Sequence, residues 1–294
     1  MGEMHAGMTI ADALREAATH LRLAGVADAR REAGSLLAHV AGRDRTFLIT
    51  HADEQLDAER LSTFREYVRQ RAAGKPLQYI TGRQEFYGLE FEVTPEVLIP
   101  RPETELLVEA ALEILKETES PLVCDVGTGS GCIAVALLHA RSDARAYALD
   151  ISTDALRVAA ANAARHGVAG RMTTLVSDCF DALDAGEHAG VRFDLIASNP
   201  PYVAEEDVAF LQREVRDHEP RVALTPGGDG LSVIRRLLAE APRHIKPRGY
   251  LLLEIGFGQH EQVAALVDAR AWQLLGIHKD LQGIPRTVAL RLAE

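Results

Sequence analysis

Cysteine is scarce in this chain of 294 residues: Cys124, Cys132 and Cys179 are the only three. They form neither a C-x-x-C pair that would open a zinc site nor an even set suggesting a disulfide framework, so they read as reduced thiols and no metal is expected. Long apolar runs are also missing. The longest, such as Ile133 to Leu138, falls far short of the ~20 residues that a membrane span needs. The opening segment carries Glu3, Asp12 and Glu16 and has no continuous apolar stretch, which fits neither a signal peptide nor an arginine-rich, acid-poor transit peptide. An excess of positive charge is absent too: 32 Lys+Arg stand against 43 Asp+Glu, a net charge of −11. Phosphate binding draws on neutralising cations, so general nucleic-acid binding is not expected. There is no internal repeat and no low-complexity tract. These absences lead to the expectation of a cytoplasmic protein with no membrane partner.

What is present is ordinary globular material, 47% hydrophobic and 26% charged, in a length that suggests two domains. Residues 1–83 read as a small helical bundle. Ile10, Leu14, Ala17, Ala18 and Leu21 follow a 3.6-residue period behind Thr9 as a cap, and Gly25 closes that helix. A second helix runs from about Ala29 to Val40. A third places Leu61, Phe64, Tyr67, Val68 and Ala72 on one face and stops at Gly74 before Pro76. Residues 84–101 form a connector, with a short hairpin around Gly88 followed by Pro95 and Pro100; Pro102 then precedes a helix start near Glu103.

Residues 102–294 alternate strand-like and helical patterns. Strands are expected at 122–126, 144–149, 172–176, 193–197 and 250–255, which implies a mostly parallel sheet with helices on both faces. Two last strands, 272–277 and 287–292, flank a polar turn and are expected to form an antiparallel edge.

The chemistry gathers at the strand tips. After the first strand come Gly127-Thr128-Gly129-Ser130-Gly131, whose glycines let the backbone approach a ligand while the next helix presents free N–H groups. A dinucleotide fingerprint requires glycine where Cys132 stands, so that reading fails. Roughly twenty residues on, Asp150 ends the next strand, placed either to accept from a ribose diol or to cap a helix, a task Ser152 can also perform. The third tip holds Ser177-Asp178-Cys179-Phe180. The fourth, Ser198-Asn199-Pro200-Pro201-Tyr202, is the most specific: its two prolines stiffen the backbone and lack N–H groups, leaving carbonyls rigidly presented. The Asn199 oxygen and the Pro200 carbonyl can each take one hydrogen of a planar –NH₂ group, with Tyr202 packed over it.

The G-x-G-x-G loop resembles motif I of S-adenosylmethionine-dependent methyltransferases, and the four tips together resemble those that modify planar amino groups. Upstream, Pro76-Leu-Gln-Tyr-Ile-Thr-Gly82, Phe86, Phe91 and Val97-Leu-Ile-Pro-Arg-Pro-Glu-Thr-Glu105 resemble the PrmC/HemK family, as do Leu253-Glu-Ile-Gly256 and Lys279-Asp-Leu-x-Gly-x-Pro-Arg286. That resemblance spans the whole chain. It implies an α/β, Rossmann-like class I methyltransferase domain behind a helical substrate-recognition domain, and transfer of the S-adenosylmethionine methyl to the glutamine amide of the GGQ motif in bacterial peptide chain release factors. S-adenosylhomocysteine is the implied product, and a monomer is expected. The resemblance puts Gly127 to Gly131, Asp150, Asp178, Cys179, Phe180 and Asn199 at the cofactor, and Asn199, Pro200, Pro201 and Tyr202 at the substrate. An aromatic often follows the acidic residue in the family, so cover for adenine falls here to Cys179 or Phe180. The Pro102-Glu-Thr104 segment either lies beside the methionine end of the cofactor or simply starts a helix.

Three other readings share parts of this pattern: a glutamine methylase of a ribosomal protein, a DNA or RNA adenine methylase, and an adaptor that binds cofactor without turnover. The basic run Arg60, Arg65, Arg69, Arg71 and Lys75, opposed only by Glu66, is either a solvated helix face or a contact for a partner.

Overall fold

The computed structural model describes residues 8–293; Glu3 and the rest of residues 1–7, and Glu294, lie outside the described residues. The chain separates into two compact units. One comprises residues up to Gly82 together with Gln212–His218, and the other comprises Arg83–Leu211 and the residues from Glu219 onward.

The first unit is helical. Helix α1 (Ile10–Leu23) starts where the Thr9 hydroxyl accepts from the Asp12 N–H at 3.1 Å. Helix α2 (Ala29–Ala41) ends at Gly42, whose φ of 62° is a left-handed cap. Two short helices escaped the periodicity argument, α3 (Arg45–Thr50), capped by Asp44, and α5 (Leu77–Thr81), and between them lies α4 (Ala58–Ala72), capped by Asp57. At five or six residues, α3 and α5 are too short to display a repeating face. Leu21, Leu36, Leu37, Phe64 and Val68 form the core. The basic run on α4 is not a free patch. Arg60 pairs with Asp57 at 3.4 Å, Arg65 with Glu16 at 3.1 Å and Arg69 with Glu66 at 2.5 Å. Arg71, only 8% exposed, is held between Glu32 and Glu214, the latter at 2.7 Å. Burying a guanidinium is tolerable only with such partners, and the Glu214 contact, with the Arg213 guanidinium donating to the Ala73 carbonyl at 2.8 Å, ties residues 212–218 to α4.

In the second unit, β1 (Arg83–Phe86) and β2 (Leu89–Glu92) form an antiparallel hairpin. Tyr87 and Gly88 both have positive φ, 53° and 74°, which suits a two-residue turn with the twist of the flanking strands. A single turn at Pro102–Thr104 leads into α6 (Glu105–Ile114). There follow β3 (Leu122–Val126), α7 (Cys132–Ala140), β4 (Arg145–Asp150), α8 (Thr153–Arg165), β5 (Met172–Val176) and β6 (Phe193–Ser198). Short helices α9 (Arg213–His218, in the helical unit) and α10 (Arg221–Leu224) precede α11 (Ser232–Glu240), β7 (Ile245–Glu254), α12 (His260–Leu266), β8 (Trp272–Lys279) and β9 (Pro285–Leu292).

The seven-stranded sheet has the order β5-β4-β3-β6-β7-β9-β8, parallel through β7 and antiparallel thereafter. The last strand in the chain is therefore an inner one, and β8 takes the edge. Successive residues of β3 face opposite layers, as the period of two requires. Val123 joins Leu107 of α6 and Leu137 of α7, whereas Cys124 joins Ile234 of α11 and Val263 of α12. Strand β7 begins earlier than its apolar run suggests, because Ile245 pairs with Phe193 before the register shifts. The strand order reverses between β4–β3 and β3–β6, so the C-terminal tips of β3, β4 and β6 open a crevice there.

Candidate active site

That crevice holds a cavity of about 290 Å³, near the lower end of the ~300–1,000 Å³ usual for small-molecule sites. Gly127, Thr128, Gly129, Ser130, Asp150, Asp178, Cys179, Asn199, Pro200 and Pro201 all line it.

The floor is the glycine loop. Gly127, Gly129 and Gly131 have φ of 72°, 54° and 80°, a region that penalises any side chain. They are not equivalent. A Cβ on Gly131 would lie 3.0 Å from the Ala159 Cβ, so this glycine permits α8 to pack on the loop. At Gly127 and Gly129 a Cβ would meet nothing within 4 Å, so the two cavity-lining glycines leave room where a ligand would rest. Asp125, buried beneath, accepts from the Thr128 hydroxyl at 2.7 Å and the Ala134 N–H at 3.2 Å, tying the loop to α7. Burial pushes its carboxyl up to about 7 despite those bonds.

Asp150 braces the same loop. One carboxylate oxygen accepts from Gly129 N–H at 2.8 Å and the other from Ser152 N–H at 2.9 Å. Ser152, not Asp150, caps α8, through its hydroxyl and the Ala155 N–H at 3.1 Å. Each Asp150 oxygen keeps a lone pair for a diol. Burial raises its carboxyl above the ordinary range.

At the β5 tip the two cover residues part company. Cys179 adopts φ 49° and lines the cavity. Phe180, expected as possible cover for adenine, does not line it: its ring is fully buried and stacks on His244, centroids 4.9 Å apart. The left-handed turn at Cys179 sends the next side chain into the core. Asp178 faces the cavity and is held by Arg236 at 2.7 Å.

At the β6 tip, the Ser198 hydroxyl donates to the Val126 carbonyl at 2.7 Å, fastening this tip to that of β3. The Asn199 Nδ2 donates to Thr104 Oγ1 at 3.1 Å, and Thr104 Oγ1 donates to Glu254 at 2.6 Å. Tyr202 does not line the cavity. Its hydroxyl donates to the other oxygen of Glu254 at 3.2 Å, and burial followed by the Glu254 charge keeps the phenol protonated. The Pro102 segment starts α6 and also sends Thr104 to the cavity.

Residues 12–82 match the family model described as the PrmC N-terminal domain, and residues 103–266 that of the methyltransferase small domain. A release factor glutamine methyltransferase of Cereibacter sphaeroides is 46% identical over 285 residues, covering 97% of this chain and 99% of that one. This chain belongs to the release factor glutamine methyltransferase family. A relative of that name from Koribacter versatilis is 42% identical over 284 residues, covering 97% of this chain and 99% of that one. The crystal structure of a release factor-specific protein-(glutamine-N5) methyltransferase from Alicyclobacillus acidocaldarius is 32% identical and covers 69% of this chain and 100% of that one, with a TM-score of 0.42.

Three residues of this family member had no role assigned from sequence. Asp125 stands two residues before the glycine loop and Glu254 inside Leu253-Glu-Ile-Gly256, but neither position announces a partner. Glu219 gave no signal at all. It is buried, accepts from Ile99 N–H at 3.2 Å and pairs with Arg101, so it fastens the Val97–Arg101 connector that borders the cavity.

Proposed function

We propose that this chain transfers the methyl group of S-adenosylmethionine to the side-chain amide nitrogen of the GGQ glutamine in peptide chain release factors. The observation that carries the reading is the state of Asn199. Its Nδ2 is committed to Thr104, and among the described residues nothing donates to its Oδ1. With the adjacent Pro200 carbonyl this makes two acceptors at the cavity, the complement of the two hydrogens of a primary amide.

The residues fit the cofactor. Asp150 would accept from the ribose diol and Asp178 from the adenine amino group, with Cys179 beside the ring, and the open glycines Gly127 and Gly129 would leave space for the methionine part. When bound, S-adenosylmethionine supplies a methyl group already activated by its sulfonium. An amide nitrogen is a poor nucleophile, and among the described residues no strong base bonds to Asn199. What the chain provides is therefore position: Asn199 and Pro200 would hold the nitrogen in reach of the methyl, and near-attack placement at about 3–3.5 Å can supply up to about 7–11 kcal/mol. Their hydrogen bonds strengthen as positive charge develops on nitrogen, which favours the transition state over the ground state. The proton leaves late, to water.

The helical unit, by this reading, recognises the release factor surface, and the protein works as a cytoplasmic monomer. Among the described residues no helix is long and apolar enough to cross a membrane. The pairing of Arg60, Arg65, Arg69 and Arg71 with carboxylates, together with the net charge of −11, supports a protein rather than a nucleic-acid substrate. The test is transfer of labelled methyl to unmodified release factor by wild type and Asn199→Ala. A drop of about 10²–10³ in kcat is expected, the usual cost of removing a group that acts on the transition state. A variant working at the wild-type rate would remove Asn199 from the chemistry.

A further inference from the structure

Glu254 sits at the end of β7, 2% exposed, with both oxygens engaged: Oε2 accepts from Thr104 Oγ1 at 2.6 Å and Oε1 from the Tyr202 hydroxyl at 3.2 Å. It lines no part of the cavity, yet it ends a chain of hydrogen bonds that starts at Asn199. The direction of such a chain is set by proton counting. An ionised carboxylate can only accept, and a threonine hydroxyl has one proton. Thr104 therefore gives that proton to Glu254, and its oxygen is left to accept from Asn199. Asn199 must offer its –NH₂, so its Oδ1 points the other way. We propose that Glu254 is a positioning residue of the methyl transfer, its carboxylate fixing through Thr104 which end of the Asn199 amide is presented to the substrate. The proposal rests on the reading of Asn199 as an acceptor for the glutamine amide.

Protonating Glu254 reverses the chain. Its new O–H donates to Thr104, whose own proton is then free to seek the Asn199 oxygen. The amide turns over, and a donor faces the two hydrogens of the substrate amide. Burial raises the Glu254 carboxyl to about 7, against the lowering effect of the Thr104 and Tyr202 hydroxyls and of Arg286, with Glu103 adding to the rise. Arg286 on β9 is itself held by Asp280 at 2.9 Å, and the thiol of Cys132, on α7, also feels the Glu254 charge. The competent, ionised state is thus the one above about pH 7. Activity should be lost as pH falls through that value.

The experiment is a pH profile of kcat, at saturating cofactor, with full-length enzyme and unmodified release factor. Saturation matters because Asp125, under the cofactor loop, is also raised to about 7 and would move the cofactor KM. Wild type should lose about tenfold in kcat between the plateau and a pH one unit below the Glu254 pKa. Glu254→Gln, which cannot ionise, should give a lower and flat kcat over this range with cofactor affinity, measured by calorimetry, unchanged. Thr104→Val cuts the chain at its middle and should also flatten the profile, while Thr104→Ser, which keeps the hydroxyl, should restore it. Should Glu254→Gln not fold, the threonine pair alone decides. A wild-type profile in either Glu254→Gln or Thr104→Val would overturn the proposal. Failure of the underlying reading looks different: Asn199→Ala would then work at the wild-type rate whatever the profiles show.

Discussion

Two alanine substitutions in one loop should fail in opposite ways. Gly131→Ala forces a side chain into a φ of 80° and brings its Cβ to 3.0 Å from the Ala159 Cβ and 3.1 Å from the Ala159 Cα. The left-handed conformation costs about 1–2 kcal/mol, and overpacking against a helix backbone that cannot swing aside adds about 1–3 kcal/mol. A loss of about 2–5 kcal/mol follows. At about 2–4 °C per kcal/mol for a domain of this size, the catalytic unit should melt about 4–20 °C earlier. Gly129→Ala carries a similar conformational cost, since its φ is 54°, but its Cβ meets no protein atom within 4 Å. Its methyl intrudes instead on the space that the cofactor needs. A clash of about 1–3 kcal/mol there weakens binding by about 5–150-fold. Thermal unfolding and cofactor titration of both variants provide the readout. The reasoning is refuted if Gly131→Ala melts like wild type, or if Gly129→Ala binds cofactor as tightly as wild type.

Other perturbations have equally directed outcomes. Asp150→Asn keeps one acceptor oxygen but must turn an –NH₂ towards either the Gly129 or the Ser152 N–H, so cofactor KM should rise about 10–100-fold with kcat nearly intact, as steady-state kinetics would read. Arg71→Ala leaves Glu32 and Glu214 facing each other without their shared cation, and chemical denaturation should show the helical unit weakened by about 3–5 kcal/mol.

Much of this was legible in the sequence because the signals were local. The strand tips at Gly127, Asp150, Asp178 and Asn199 each follow an apolar run, and parallel β-α alternation brings such tips to one edge of a sheet. Turn chemistry was readable for the same reason: Thr9 and Gly25 act where their side chains, or the lack of one, require. What escaped was coupling between distant residues. Thr104 and Glu254 lie on α6's leading turn and on β7, and no periodicity relates them. Glu219 and Arg101 meet across a similar stretch of chain. Nothing local in the sequence relates the segment 212–218 to α4, and it is the contacts of Glu214 with Arg71 and of Arg213 with the Ala73 carbonyl that join them. Between Cys179 and Phe180 the sequence left the choice open, because the positive φ at Cys179, unusual for a residue with a side chain, is not signalled locally.

The central claim is that the acceptors of Asn199 and Pro200 select a primary amide on a release factor. It is tested most directly by following label from S-adenosylmethionine into unmodified release factor, its GGQ→GGE variant and duplex DNA, side by side. A carboxylate in place of the amide would set negative charge against two acceptors at the cavity, so the glutamate variant should be rejected by about 10⁴-fold or more. The account predicts label in the glutamine-bearing factor alone. Comparable methylation of the glutamate variant, or label entering DNA, would contradict it.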